Sequence, residues 1–116
     1  MSLKPEVMGI FKSTPEISPT DLNKRLGEFK VIDVRRPEEF TGELGHIKGA
    51  ILATLETDLE TYLSKLSKDA AYVFVCKSGG RSGVATDLAL KSGFSKVHNM
   101  IGGMLAWNAQ GFEVTR

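Results

Sequence analysis

The segment Ala71-Tyr72-Val73-Phe74-Val75 constrains the fold most. Every position is apolar or aromatic, so a strand here needs cover on both faces, as in the middle of a parallel sheet. Shorter strand-like runs alternate with helical ones around it. Ser18 as N-cap and Pro19 at the first helical position predict a short helix, with Ile17, Leu22 and Leu26 as its stripe and Gly27 as its stop. Val31-Ile32-Asp33-Val34 is an expected strand, and Pro37-Glu38-Glu39-Phe40 an expected helical turn. Ala50-Ile51-Leu52-Ala53 reads as a weak strand. Leu55, Leu59, Tyr62, Leu63 and Leu66 then recur at helical spacing, with Glu56 to Glu60 as a solvated face. A helix is predicted from Arg81 to Lys91, with Val84, Ala85, Leu88 and Ala89 inward. Ser95 to Met100 is the last expected strand, and Met104 to Gln110 a closing helix carrying Trp107 as a core anchor. This alternation predicts an α/β chain, a parallel sheet with helices on its faces. Residues 1–15 read as an irregular arm and 16–116 as one domain.

Composition removes several function classes. Lys and Arg number 15 against 14 Asp and Glu, a formal charge of +1, so no broad nucleic-acid footprint is expected. One cysteine allows neither an intrachain disulfide nor a multi-cysteine zinc site. No apolar run approaches the ~20 residues of a membrane span, so no membrane partner is expected. The opening MSLKPEVMGIFK lacks the apolar core of a signal peptide, which points to the cytoplasm. Met1-Ser2-Leu3 is compatible with an appended tag, which leaves a removed upstream targeting segment open.

The chemistry concentrates in Cys76-Lys77-Ser78-Gly79-Gly80-Arg81-Ser82, between the strongest strand and a helix. In parallel α/β folds, sites lie at the carboxyl ends of strands. A helix N-terminus offers free N–H groups and partial positive charge. Paired glycines let successive amides converge on an anion. Lys77 and Arg81 add two charges, with no acid between Asp69 and Asp87. All of this favours thiolate over thiol at Cys76. An ordinary cysteine is about 3% thiolate at pH 7, and lowering its pKa by about two needs roughly 2.7 kcal/mol. The pattern predicts a nucleophilic cysteine in an anion pocket. Without these neighbours, a lone cysteine reads as a buried structural residue.

Further segments complete a series: Asp33-Val34-Arg35 with Pro37-Glu38-Glu39-Phe40, Gly45-His46-Ile47 with Gly49-Ala50, Gly93-Phe94, Gly102-Gly103, Trp107 and Gly111. Together with Tyr72 to Ser82, this series resembles the rhodanese-like, or thiosulfate sulfurtransferase-like, domain family over about residues 16 to 112. The resemblance implies a five-stranded parallel sheet flanked by helices on both faces. It implies that Cys76 is catalytic and carries sulfane sulfur as a persulfide. Lys77, Ser78, Gly79, Gly80, Arg81 and Ser82 then bind the anion or persulfide. Asp33 and Arg35 support the loop by hydrogen bonding. The expected donor is thiosulfate or a persulfide, and the acceptor a thiol such as glutathione or reduced thioredoxin. No metal and no organic cofactor are implied. Four residues separate Cys76 from Arg81, whereas the family's phosphatase relatives have one more, so the spacing favours sulfur over phosphate.

Two departures stand out. The two-domain thiosulfate enzymes of the family carry an arginine a few residues after Asp-x-Arg, where this chain has Glu39. Many relatives read Asn-x-Pro where this chain has Ile51-Leu52-Ala53-Thr54, so a local loop change is expected. Ser82 is expected to cap the helix, with hydroxyl donation to the persulfide as the alternative. His46 reads as a structural histidine, with general base as the alternative, and His98 has no assigned role. The competing functions are a persulfide carrier or interaction module with little activity on small donors, and a phosphatase-like or arsenate-reducing enzyme, which the loop length disfavours.

Overall fold

The computed structural model describes residues 14 to 116, so the arm expected over 1–15 falls almost wholly outside the described residues. The elements run β1 (Glu16–Ile17), α1 (Pro19–Lys24), a 3-10 turn (Leu26–Glu28), β2 (Lys30–Asp33), α2 (Pro37–Phe40), β3 (Ile51–Leu52), α3 (Leu59–Leu63), β4 (Ala71–Val75), α4 (Gly80–Lys91), β5 (Lys96–Met100) and α5 (Gly103–Ala109). The five strands form one parallel sheet in the order β1-β5-β4-β2-β3. β4 is central, as its two-sided apolar pattern requires.

Each strand feeds two cores by alternation. Tyr72, Phe74 and Cys76 face one side with Ile32, Val97 and residues of α3 and α4. Val73 and Val75 face the other, with Leu22 of α1 and Met104 and Trp107 of α5. Both faces of the sheet are therefore covered. Trp107 is buried, and its indole N–H donates to the Glu113 carbonyl at 2.9 Å. Among the described residues, no helix is long and apolar enough to cross a membrane.

α1 starts as its sequence dictates. Ser18 accepts a hydrogen bond from the Asp21 amide at 3.0 Å, and Pro19 sits at the first helical position. It ends at Lys24, before Gly27, which lies inside the 3-10 turn. Several expectations are corrected. β1 is an additional edge strand, paired with β5 at Glu16↔Asn99 and Ile17↔Met100. α3 is shorter than the stripe from Leu55 to Leu66, because Thr54 O accepts from the Asp58 and Leu59 amides and makes a turn there. Leu55 and Leu66 still pack on the core from outside the helix. Val84 points outward at 58% exposed, and the inward face of α4 carries Ser82, Ala85, Thr86 and Ala89. After β3 the chain keeps pairing along β2, through Ala53 N to Asp33 O at 2.9 Å and Leu55 N to Val34 O at 3.0 Å.

Candidate active site

Cys76 is the first residue past β4, at the carboxyl edge of the sheet, and its residue surface is 1% exposed. The chain then turns through Lys77 and Ser78 to Gly79, which has φ +107° and caps α4. That left-handed conformation turns the chain into α4, and the Gly79 N–H ahead of it donates to Sγ at 3.1 Å. Ser82, one turn into α4, brings its Oγ to 3.3 Å from the same sulfur. Ser82 is therefore not the helix cap; its hydroxyl belongs to the sulfur's surroundings.

α5 holds the other side of the loop. The Met104 amide donates to Cys76 O at 2.8 Å and the Leu105 amide to Lys77 O at 3.0 Å. Gly103, at φ +60°, makes this approach possible, since a Cβ there would fall on the Cys76 and Lys77 carbonyls.

Two opposing effects set the state of the sulfur. Burial pushes the Cys76 thiol up. Hydrogen bonds from the Ser82 hydroxyl and from the Ser82, Gly79 and Ser78 amides outweigh it, and the thiol sits below its ordinary value. The largest stabilising contributions come from dipoles, and the Arg81 guanidinium adds a smaller charge–charge attraction. The expected local excess of positive charge is reduced, because Arg81 is bound by Glu39. Its two terminal nitrogens donate to Glu39 Oε1 at 2.8 Å and Oε2 at 2.9 Å. This bidentate bond, opposed in part by burial, holds the Glu39 carboxyl down at about 2. Lys77 is exposed and lines a cavity of about 220 Å³ with Arg35, Glu38, Glu39, Gly42, Glu43 and Leu44.

Asp33 and Arg35 are buried side by side, both 1% exposed. Arg35 Nε donates to Asp33 Oδ1 at 2.9 Å, and Nη2 donates to Asp33 Oδ2 and to Gly45 O, each at 2.7 Å. Thr54 Oγ1 donates to Arg35 O at 2.7 Å. The pair thus braces the Gly45 turn and the segment after β3. Among the described residues, neither side chain makes a hydrogen bond to residues 76–82. His46 is held by Phe40, with its ring stacked at 3.5 Å and Nδ1 2.7 Å from Phe40 O.

Asn99 on β5 is a site residue not singled out from the sequence. Its Oδ1 accepts from Ser82 Oγ at 2.5 Å, and its Nδ2 donates to Gly79 O at 3.1 Å. The signal was present: an amide two residues after Val97, on the strand face that α4 covers.

The rhodanese-like domain model matches residues 18–110. A putative sulfurtransferase of Bacillus subtilis, YtwF, is 36% identical over 98 residues, covering 82% of this chain and 91% of its own length. A putative sulfur carrier protein of the same organism, YrkF, is 32% identical over 101 residues, and the match spans 84% of this chain and 53% of that protein. The crystal structure of a rhodanese-related protein from Thermoplasma volcanium superposes with a TM-score of 0.80 at 27% identity, covering 87% of this chain and 97% of that one.

Proposed function

The chain belongs to the rhodanese-like domain family, and we propose that it moves sulfane sulfur from a donor to a thiophilic acceptor through a persulfide on Cys76. The observation that carries this is the sulfur itself, at the carboxyl end of the central strand, with an amide and a hydroxyl turned onto it.

The Cys76 thiolate attacks the outer sulfur of the donor. A Cys76 S–S bond forms, the donor's own bond to that sulfur breaks, and the leaving group takes the electron pair: sulfite from thiosulfate, a thiolate from a persulfide. The amides of Ser78, Gly79 and Ser82 and the Ser82 hydroxyl stabilise negative charge on sulfur before attack and on the persulfide after it. Because Cys76 is so deeply set, a slender donor ending in a single sulfur atom fits the approach better than a bulky phosphoryl group. An acceptor such as glutathione, reduced thioredoxin or, in the test tube, cyanide then takes the outer sulfur and regenerates the thiolate. With one cysteine, the sulfur has no internal exit as a disulfide. The two half-reactions share one enzyme form, so ping-pong kinetics follow.

One observation favours a carrier reading in which small dianionic donors are poor substrates: Glu39 occupies the guanidinium that a dianion would seek. Steady-state rates of thiocyanate formation separate these readings. Parallel double-reciprocal lines with thiosulfate and cyanide support the enzyme. Turnover with an organic persulfide but not with thiosulfate supports the carrier. Hydrolysis of an aryl phosphate without thiocyanate formation refutes both.

A further inference from the structure

Cys76, Gly79, Asn99 and Ser82 close a ring of contacts. Gly79 N–H donates to Cys76 Sγ at 3.1 Å, and Gly79 O accepts from Asn99 Nδ2 at 3.1 Å. Asn99 Oδ1 lies 2.5 Å from Ser82 Oγ, which lies 3.3 Å from the sulfur. The Gly79 carbonyl fixes the amide's orientation, since only an NH2 group can face it, so Oδ1 must face Ser82.

The ring holds one proton too few for its acceptors. A serine hydroxyl has a single proton, and Ser82 has two acceptors in reach. With a neutral thiol, all are satisfied: Ser82 donates to Asn99 Oδ1, and Sγ–H donates to Ser82 Oγ. When the thiol ionises, its proton leaves to water. The sulfur then has nothing to donate, and the Ser82 proton must turn to it. Asn99 Oδ1, on a residue only 6% exposed, is left without that donor.

We propose that Asn99 is a positioning residue of the sulfur-transfer site: its side-chain carbonyl competes with the Cys76 sulfur for the one proton of Ser82, while its amide holds the Gly79 peptide that donates to that sulfur. This rests on the reading of Cys76 as the sulfur-bearing nucleophile. It assigns Asn99 a restraining role on ionisation, acting through Ser82 and not on substrate.

The other charges near the sulfur stay fixed in the test. They are Lys77 beside it, the Arg81–Glu39 pair, Glu56, whose field reaches Arg81, and the Asp33–Arg35 pair at the end of β2. His98, next to Asn99 in β5, packs edge-on to Phe29.

The test is a titration of Cys76 by the 13Cβ resonance of labelled cysteine, which gives one signal because the chain has one cysteine. Asn99→Leu keeps the side chain's shape and removes the competing carbonyl. Asn99→Leu also frees the Gly79 carbonyl, so its effect is compared in two backgrounds. The change in Cys76 midpoint on Asn99→Leu is expected to lie about half to one pH unit lower with Ser82 present than in a Ser82→Ala background, the worth of one neutral hydrogen bond. A merely structural role predicts the same change in both backgrounds, since loosening Gly79 acts without Ser82. Asn99→Ala gives the same comparison if the leucine variant does not fold. An equal change in the two backgrounds, or a change that lies higher with Ser82 present, overturns the proposal. Failure of wild-type Cys76 to take up sulfur overturns instead the reading it rests on.

Discussion

Glu39→Gln tests whether the Arg81–Glu39 pair sets both local stability and donor preference. The pair is bidentate at 2.8 and 2.9 Å, with side chains 30% and 27% exposed. The fall of the Glu39 carboxyl from its ordinary 4.5 to about 2 corresponds before screening to roughly 3 kcal/mol. With over a quarter of each side chain in water, screening and side-chain entropy leave about 1 kcal/mol. Because the folded value is depressed, this contribution is present above pH 4.5 and is lost as pH falls through about 2. Urea denaturation should therefore place the variant about 1 kcal/mol below the wild type at pH 7, with the gap closing below pH 4.5. The same substitution frees a guanidinium next to the sulfur. A unit charge at ~4 Å is worth about 1 kcal/mol in water, so a dianion gains about 2, of which salt leaves about half. The KM for thiosulfate should fall about fivefold, while KM for an uncharged organic persulfide stays within about twofold. A thiosulfate KM that is unchanged or higher, in a variant that has lost the expected stability, refutes the claim that Glu39 screens the site.

Other substitutions probe the loop's construction. Gly103→Ala places a Cβ on the Cys76 and Lys77 carbonyls at φ +60° and should cost about 2–4 kcal/mol in urea denaturation. Sulfur uptake should fall with it; a cost below about 0.5 kcal/mol contradicts the close approach of α5. Asp33→Asn strands the buried Arg35 guanidinium and should cost about 3–5 kcal/mol by the same assay, far above a surface pair. The depressed Cys76 thiol adds stability above its unfolded value of 9.0, and this is lost as pH falls through the lower folded value. Wild type should thus gain on Cys76→Ser as pH rises towards 9, and a flat difference contradicts a stabilised thiolate.

Local patterns announced much of the architecture. The apolar run at 71–75 placed the central strand, and Ser18-Pro19 placed the start of α1. β1 escaped notice because two residues carry no periodicity, and only pairing with β5, far along the chain, makes them a strand. Hydrophobicity alone phases α4 with Val84 inward, whereas the helix turns in Ser82, which reaches the sulfur, and with it Thr86. The Cys76 loop was visible in its glycines and its position at a strand end. Its partners were not, since Arg81 meets Glu39 from 42 residues away and Ser82 meets Asn99 from 17. Such pairings arise from strand order, which the sequence pattern does not print. The consequence is chemical: the sequence pointed to loop amides and two cations together, and in the folded site the amides and the Ser82 hydroxyl contribute more than the Arg81 charge, which Glu39 shares.

The most direct test of the persulfide at Cys76 is the intact mass of the protein after incubation with thiosulfate or an organic persulfide. The account predicts a gain of one sulfur atom in the wild type, removed by cyanide with release of thiocyanate and absent in Cys76→Ser. No gain from either donor, or an equal gain in Cys76→Ser, would contradict it.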